Sequence, residues 1–208
     1  MLLDLFDNAH NRILEAREYG SFKEALSASG CARCPLSRHR THIVVDRGNP
    51  AAKVLFVGEA PGENEDLQGR AFVGRAGRLL DEMLGEIGFD TDRDCLIVNV
   101  VKCRPPENRA PLPEEAEACL PFLRRQIELV KPKIIGLLGA TALRHLVSDR
   151  KKLSMEDQVG KFFEHPQYPG VRLIILYHPA FILRDPRKRP AMQQHLRQLC
   201  DAWREALG

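Results

Sequence analysis

Four short runs of apolar, largely β-branched residues set the frame of this chain: KVLFVG (53–58), CLIVNVV (95–101), KIIGLLG (133–139) and VRLIILY (171–177). Runs this short and continuous read as strands buried on both faces. Between them the apolar period becomes helical. In RAGRLLDEMLGEIG, the residues Leu79, Leu80, Met83, Leu84 and Ile87 share one face. In PEEAEACLPFLRRQIELV, Pro113 suits a first turn, acids follow it, and Leu120, Leu123, Ile127 and Val130 point inward. Pro121 lies inside that pattern and is expected to break or kink it. A short helix follows at ATALRHLV, and a last one, from Pro190 to Leu207, spaces Met192, Leu196, Leu199 and Trp203 for packing. This alternation predicts an α/β fold, a parallel sheet covered by helices on both faces. Such folds bind ligands where strands end and loops begin.

Residues 1–50 stand apart as a helix from Leu3 to Tyr19 and a Cys-, Arg- and His-containing loop. The simplest organisation is one domain over 1–208, with this extension ahead of an α/β core at 51–208. No stretch approaches the roughly 18 apolar residues of a membrane span. Asp4, Asp7 and Asn8 break the apolar start, which makes a poor signal peptide, so a cytoplasmic protein is expected. The net charge of +3 identifies no partner, but its distribution is uneven. Residues 31–47 carry Arg33, Arg38, Arg40 and Arg47 against Asp46 alone, and residues 178–208 carry six Arg or Lys against three acids. Two basic segments of this kind suit a phosphate backbone if they meet in space, or are plain solvated surface.

Each strand end carries an unusual loop. GEAPGENEDLQGRAFVGRAG (58–77) is rich in glycine and acids, and is neither a GxGxxG nor a GK[ST] phosphate loop. Alone, such a segment is commonly just a turn. In NVVKCRPPENRAP (99–111), Asn99 sits in an apolar strand, where an amide is costly unless satisfied; its donor and acceptor suit the edge of an amide-bearing base. In YHPAFILRDPRKRP (177–190), His178 is held by the following proline at a strand end, ahead of an apolar segment and a basic run. The cysteines fall into two groups. Cys31 and Cys34 form a CxxC, with Cys103 and Cys119 further on; four thiolates bind zinc or a [4Fe–4S] cluster, and the absence of a second CxxC leans towards the cluster. Cys95 and Cys200 are expected to be packed thiols.

The three loop motifs, in this order and with cysteines 31, 34, 103 and 119, closely resemble the iron–sulfur uracil-DNA glycosylases of family 4, over residues 25–200. The resemblance implies a three-layer α/β/α sandwich around a four-stranded parallel sheet. It implies a monofunctional DNA-repair enzyme that flips deoxyuridine out of DNA, hydrolyses the N-glycosidic bond, and leaves free uracil and an abasic site. Carried over by position, Phe72 stacks on uracil, Asn99 reads its N3–O4 edge and His178 donates to O2. Gly58, Glu59 and Ala60 hold the base, and Glu65 excludes the thymine methyl. Ile182, Leu183 and Arg184 enter the duplex, and Cys31, Cys34, Cys103 and Cys119 hold a [4Fe–4S] cluster whose neighbouring arginines face DNA. The position where other uracil glycosylases carry a water-activating Asp is Ala60 here, which leaves Glu59 as the group next to the water or the sugar cation. The resemblance further implies uracil-containing DNA, single- or double-stranded, as partner; a monomer is the default expectation, and in a prokaryotic cell a nucleoid-associated location is expected. The covalent variant of the family has a basic insertion with a reactive His; ENRAPLPEEAEAC has neither, so turnover without an adduct is expected. Two other readings are an enzyme that also accepts hypoxanthine or xanthine, and a non-catalytic iron–sulfur nucleic-acid-binding module. Gripping phosphates requires none of Phe72, Asn99 and His178, which weighs against the second.

Overall fold

A computed structural model describes residues 10–147 and 155–206. The four apolar runs form strands β2 (Val54–Gly58), β3 (Cys95–Asn99), β4 (Ile134–Leu138) and β6 (Arg172–Leu176). They lie parallel in the order β3-β2-β4-β6, with Val54 opposite Cys95 and Ile134, and Ile134 opposite Arg172. The sheet has six strands rather than four. Two-residue strands β1 (Arg47–Gly48) and β5 (Phe162–Phe163) add antiparallel to its edges, and pieces this short carry no periodicity to read.

Alternation along the strands explains why the runs are uninterrupted. Val54 and Phe56 of β2 face one core, packed against α4 (Arg75–Gly85) and α9 (Arg189–Glu205); Leu55 and Val57 face the other, packed against α5 (Pro113–Val130) and α6 (Ala140–Leu146). Both faces of the sheet are therefore dry. Helix α5 passes through Pro121 unbroken. The carbonyl deprived of its donor belongs to Glu117, an exposed residue that water can serve.

The predicted first helix is divided. Its start, residues 3–9, and the one predicted helical residue at the far end, Leu207, lie outside the described residues. Helix α1 covers 10–15, and α2 (Tyr19–Ala28) starts anew after a turn. Arg125 of α5 donates to the Ala16 carbonyl at 2.7 Å, and the turn lets Ile13, Phe22 and Leu26 close on Phe122 in a third, small core. Tertiary packing here overrides the good helix formers at 16–18. Two further helices lie within segments read as loops: α3 (Glu63–Gln68), bounded by glycines, and α8 (Pro179–Arg184), which starts with proline in its first turn. A one-turn helix, α7 (Met155–Gln158), precedes β5.

Candidate active site and cysteine pocket

The C-terminal ends of the parallel strands open into a cleft of about 810 Å³. Glu59 and Ala60 after β2, Asn99 at the end of β3, Gly139 after β4 and His178 after β6 all line it. A cleft of this size has room for a nucleotide. Its floor depends on Gly58. A Cβ there would lie 2.5 Å from Asn99 Oδ1 and 2.5 Å from the Phe72 ring, so only glycine lets these two side chains meet over β2.

Asn99 is 1 % exposed, and both its amide atoms lack a partner among the described residues. A buried amide left open on both atoms costs several kcal/mol on the order of a lost hydrogen-bond pair, unless a ligand completes it. Phe72 reaches the cleft from a left-handed backbone, φ 54°, which is strained for a bulky residue. Two contacts hold it there. Arg47 donates to the Phe72 carbonyl at 2.6 Å, and the α-carbon of Gly77 packs so closely on that carbonyl that a side chain has no space.

Arg47 is thus not one of the DNA-facing arginines expected from its segment. It is 5 % exposed and also bonds Asp81 and Thr91. Arg40 is turned inward too, onto the Cys31 carbonyl at 2.6 Å and Cys103 Sγ at 3.3 Å. Arg33 and Arg38 remain exposed.

The His178 ring lies 5.8 Å from that of Phe72. Its Nδ1 accepts the Ala180 N–H at 3.1 Å, so the neutral ring carries its proton on Nε2. Burial pushes its pKa below the ordinary imidazole value, against a smaller upward pull from Glu59. Glu59 accepts a hydrogen bond from Thr141 of α6, a partner for which no motif in the sequence stands as a signal. Glu65 lines the cleft, and its carboxylate accepts the Gly62 N–H at 3.1 Å and the Gly74 N–H at 2.6 Å. It fastens both ends of the glycine-rich loop. The GENEDLQG pattern, acids in a first turn between glycines, is a legible sign of α3 that accounts for Glu65.

One expected contact is corrected. Ile182, 2 % exposed, belongs to the core beneath α8, because a helix there turns it inward; Leu183, 38 % exposed, and Arg184 line the cleft, as do Ala180 and Phe181 of the same helix. Cys95 and Cys200 are buried in the same core, and burial pushes Cys200 up to about 12.

Cys31, Cys34, Cys103 and Cys119 line a single small pocket, together with Arg40, Lys102 and apolar residues of α2 and α5. All four are free thiols. Burial pushes Cys103 up to about 11 and Cys119 up to about 12. Among the described residues no three or more His, Cys, Asp or Glu side chains are grouped so as to hold a single metal ion, these four cysteines included. No helix among them is long and apolar enough to cross a membrane.

The chain resembles known proteins over most of its length. The model of the uracil DNA glycosylase superfamily matches residues 45–204. A type-4 uracil-DNA glycosylase of Thermotoga maritima is 49 % identical over 155 residues, 74 % of this chain and 79 % of that protein. One from Archaeoglobus fulgidus is 41 % identical over 172 residues, 81 % and 86 % of the two chains. A type-5 enzyme of Pyrobaculum aerophilum is 32 % identical over 180 residues, 72 % and 78 % of the two. The chain belongs to the uracil DNA glycosylase superfamily and, within it, to the type-4 uracil-DNA glycosylases.

Proposed function

We propose that the cleft takes a deoxyuridine flipped out of DNA and hydrolyses its N-glycosidic bond, which refines the uracil-excising DNA repair activity of the family. The observation that carries this reading is the buried, unpartnered amide of Asn99. Uracil offers an N3–H donor beside an O4 acceptor, complementary to that amide. Cytosine offers the reverse pattern and would leave polar groups unpaired, the kind of mismatch a buried site rejects most strongly. Phe72 supplies the stacking face. Glu65, held by the hydrogen bonds it accepts from the Gly62 and Gly74 N–H groups, would meet and exclude a 5-methyl group.

As the bond from C1′ to N1 lengthens, its electron pair moves onto the base and positive charge appears on the sugar. His178 Nε2–H donates to O2, and main-chain amides around Glu59 and Ala60 add to a preorganised anion site. The Glu59 carboxylate, steadied by Thr141, faces the sugar cation and orients the water that adds to C1′. That water loses a proton to solvent or to Glu59, and the uracil anion leaves and is protonated. Replacing Glu59 by Gln is expected to slow single-turnover excision by on the order of 10²-fold; an unchanged rate on uracil-containing single-stranded DNA removes Glu59 from this role. Leu183 and Arg184 enter the space vacated in the duplex, with Arg33 and Arg38 on the phosphates.

Cys31, Cys34, Cys103 and Cys119 fit a [4Fe–4S] cluster, because four thiols from three separate segments line one mostly apolar pocket. Bound there, the cluster supplies a cross-link between the N-terminal loop, the loop after β3 and α5. Purified protein is expected to contain iron and absorb broadly in the visible, and Cys34→Ser or Cys119→Ser to lose both. Colourless protein with stoichiometric zinc overturns the assignment.

The function is tested by treating oligonucleotides bearing U, T, hypoxanthine or xanthine with the enzyme, then with alkali. Cleavage confined to U supports the reading. Comparable cleavage of several bases shows a broad enzyme, and no cleavage of any shows a binding module.

A further inference from the structure

Directly behind Asn99 the fold buries an ammonium. Lys102, 1 % exposed, sends Nζ back to the Asn99 carbonyl at 2.7 Å and also donates to Gln126 Oε1. Both acceptors are neutral. Cys119, Asp46 and Cys103 offset only part of the cost of burying that charge, and a methionine of similar length would fill the same space more cheaply. Gln126 of α5 is itself fully buried and continues the chain of bonds. Its Nε2 donates to Tyr19 Oη at 2.8 Å and to the Val45 carbonyl at 3.1 Å, and Tyr19 donates in turn to Asp46 at 2.9 Å. The Lys102 carbonyl accepts the Val44 N–H at 2.8 Å. A polar line therefore runs from the end of β3, through α5, into α2 and the segment before β1.

The Asn99 amide has no partner of its own among the described residues, so its direction is inherited from the main chain that carries it. That main chain is held on the amide side by β2, where Val100 N–H reaches the Gly58 carbonyl at 2.9 Å, and at the Asn99 carbonyl by Lys102. We infer that Lys102 is a positioning residue for base recognition, pinning the Asn99 carbonyl so that the amide meets the uracil edge in register. This inference rests on the reading of Asn99 given above. Lys102 touches no part of the substrate; it acts through Asn99, and it ties that residue to the N-terminal segment bearing Cys31 and Cys34.

The test is a double-mutant cycle on the full-length, iron-containing protein, with Lys102→Met, Asn99→Ala and the two combined. Two quantities are read: inhibition by free uracil, and kcat/KM on uracil-containing single-stranded DNA. The inhibition constant does not depend on the fraction of folded enzyme, so a merely structural loss leaves it unmoved. Lys102→Met is expected to raise it and to lower kcat/KM by at least about 10-fold, as displacement of a recognition group does. Affinity for abasic-site DNA should stay within about twofold, since phosphate contacts are untouched. The combined variant should be no weaker than Asn99→Ala alone, because the two residues act as one unit. Full additivity, or a wild-type inhibition constant in Lys102→Met beside an impaired Asn99→Ala, overturns the role of Lys102 while sparing that of Asn99. An unimpaired Asn99→Ala overturns the reading of Asn99 and this inference with it. If Lys102→Met does not fold, Lys102→Met/Gln126→Met removes the stranded Gln126 acceptor as well. It is expected to show the same raised inhibition constant, and a wild-type value rejects the proposal.

Discussion

Replacing His178 with alanine is expected to lower the single-turnover rate of uracil excision from single-stranded DNA by about 10²–10³-fold, the loss typical of one preorganised donor at a developing oxyanion. The size of the effect follows from how little freedom the ring has. The Ala180 N–H occupies Nδ1, so the proton of the neutral imidazole sits on Nε2. Packing beside Phe72 at the start of α8 holds the ring, so in the proposed mechanism no reorganisation would be needed as charge builds on O2. His178→Gln, which keeps a donor without that locking, should recover part of the rate. A His178→Ala rate within about threefold of wild type would take the histidine out of the anion site. Protonation gives a second readout. The folded pKa lies below the ordinary 6.5, so the unfolded chain takes up more protons as the pH falls. The stabilising contribution of neutral His178 is present above about pH 6.5 and is lost progressively below it. In urea titrations the wild-type midpoint should therefore fall relative to that of His178→Ala between pH 7 and pH 5.

Adding one methyl group at Gly58 is expected to cost at least about 10²-fold in kcat/KM, because it displaces recognition groups by an ångström or so. The new Cβ would stand 2.5 Å from Asn99 Oδ1 and 2.5–2.6 Å from two atoms of the Phe72 ring. Both neighbours are themselves pinned. Asn99 continues a buried strand, and the Phe72 main chain is held between Arg47 and Gly77, so neither retreats cheaply. The clash falls on side chains in the cleft rather than on the cysteine pocket, so iron content and fold should survive. Gly85→Ala at the end of α4, with nothing within 4 Å, is the matched control and should retain full activity. A fully active Gly58→Ala would mean that Phe72 and Asn99 do not together form the base pocket.

The four central strands are legible in sequence to within about two residues because burial on both faces leaves an unbroken apolar run. The edge strands are not, since two residues are too few to display a period, and α3 shows itself only through its capping glycines and first-turn acids, with no period to read. The candidate site follows the same division. Gly58, Phe72, Asn99 and His178 stand in motifs at strand ends, and the fold brings them together there. Arg47 and Thr141 bond partners 25 and 82 positions away, and Lys102 is buried against Gln126, 24 positions on; their residue types alone read as surface charge or helix filler. Ile182 shows the converse. Its place beside Leu183 in an apolar segment reads as one wedge, and only the turn of α8 separates a core residue from an exposed one.

The two-residue edge strands have a consequence for crowding. A long open edge is a template on which another chain can extend the sheet. Here the four-stranded centre is closed on one side by Arg47–Gly48 and on the other by Phe162–Phe163, with the guanidinium of Arg172 lying 4.3 Å over the Phe162 ring. Among the described residues each border therefore offers only a two-residue ladder before the backbone turns away. Copies brought close together on one DNA molecule would therefore find neither of these borders a long template for fusing into a larger sheet.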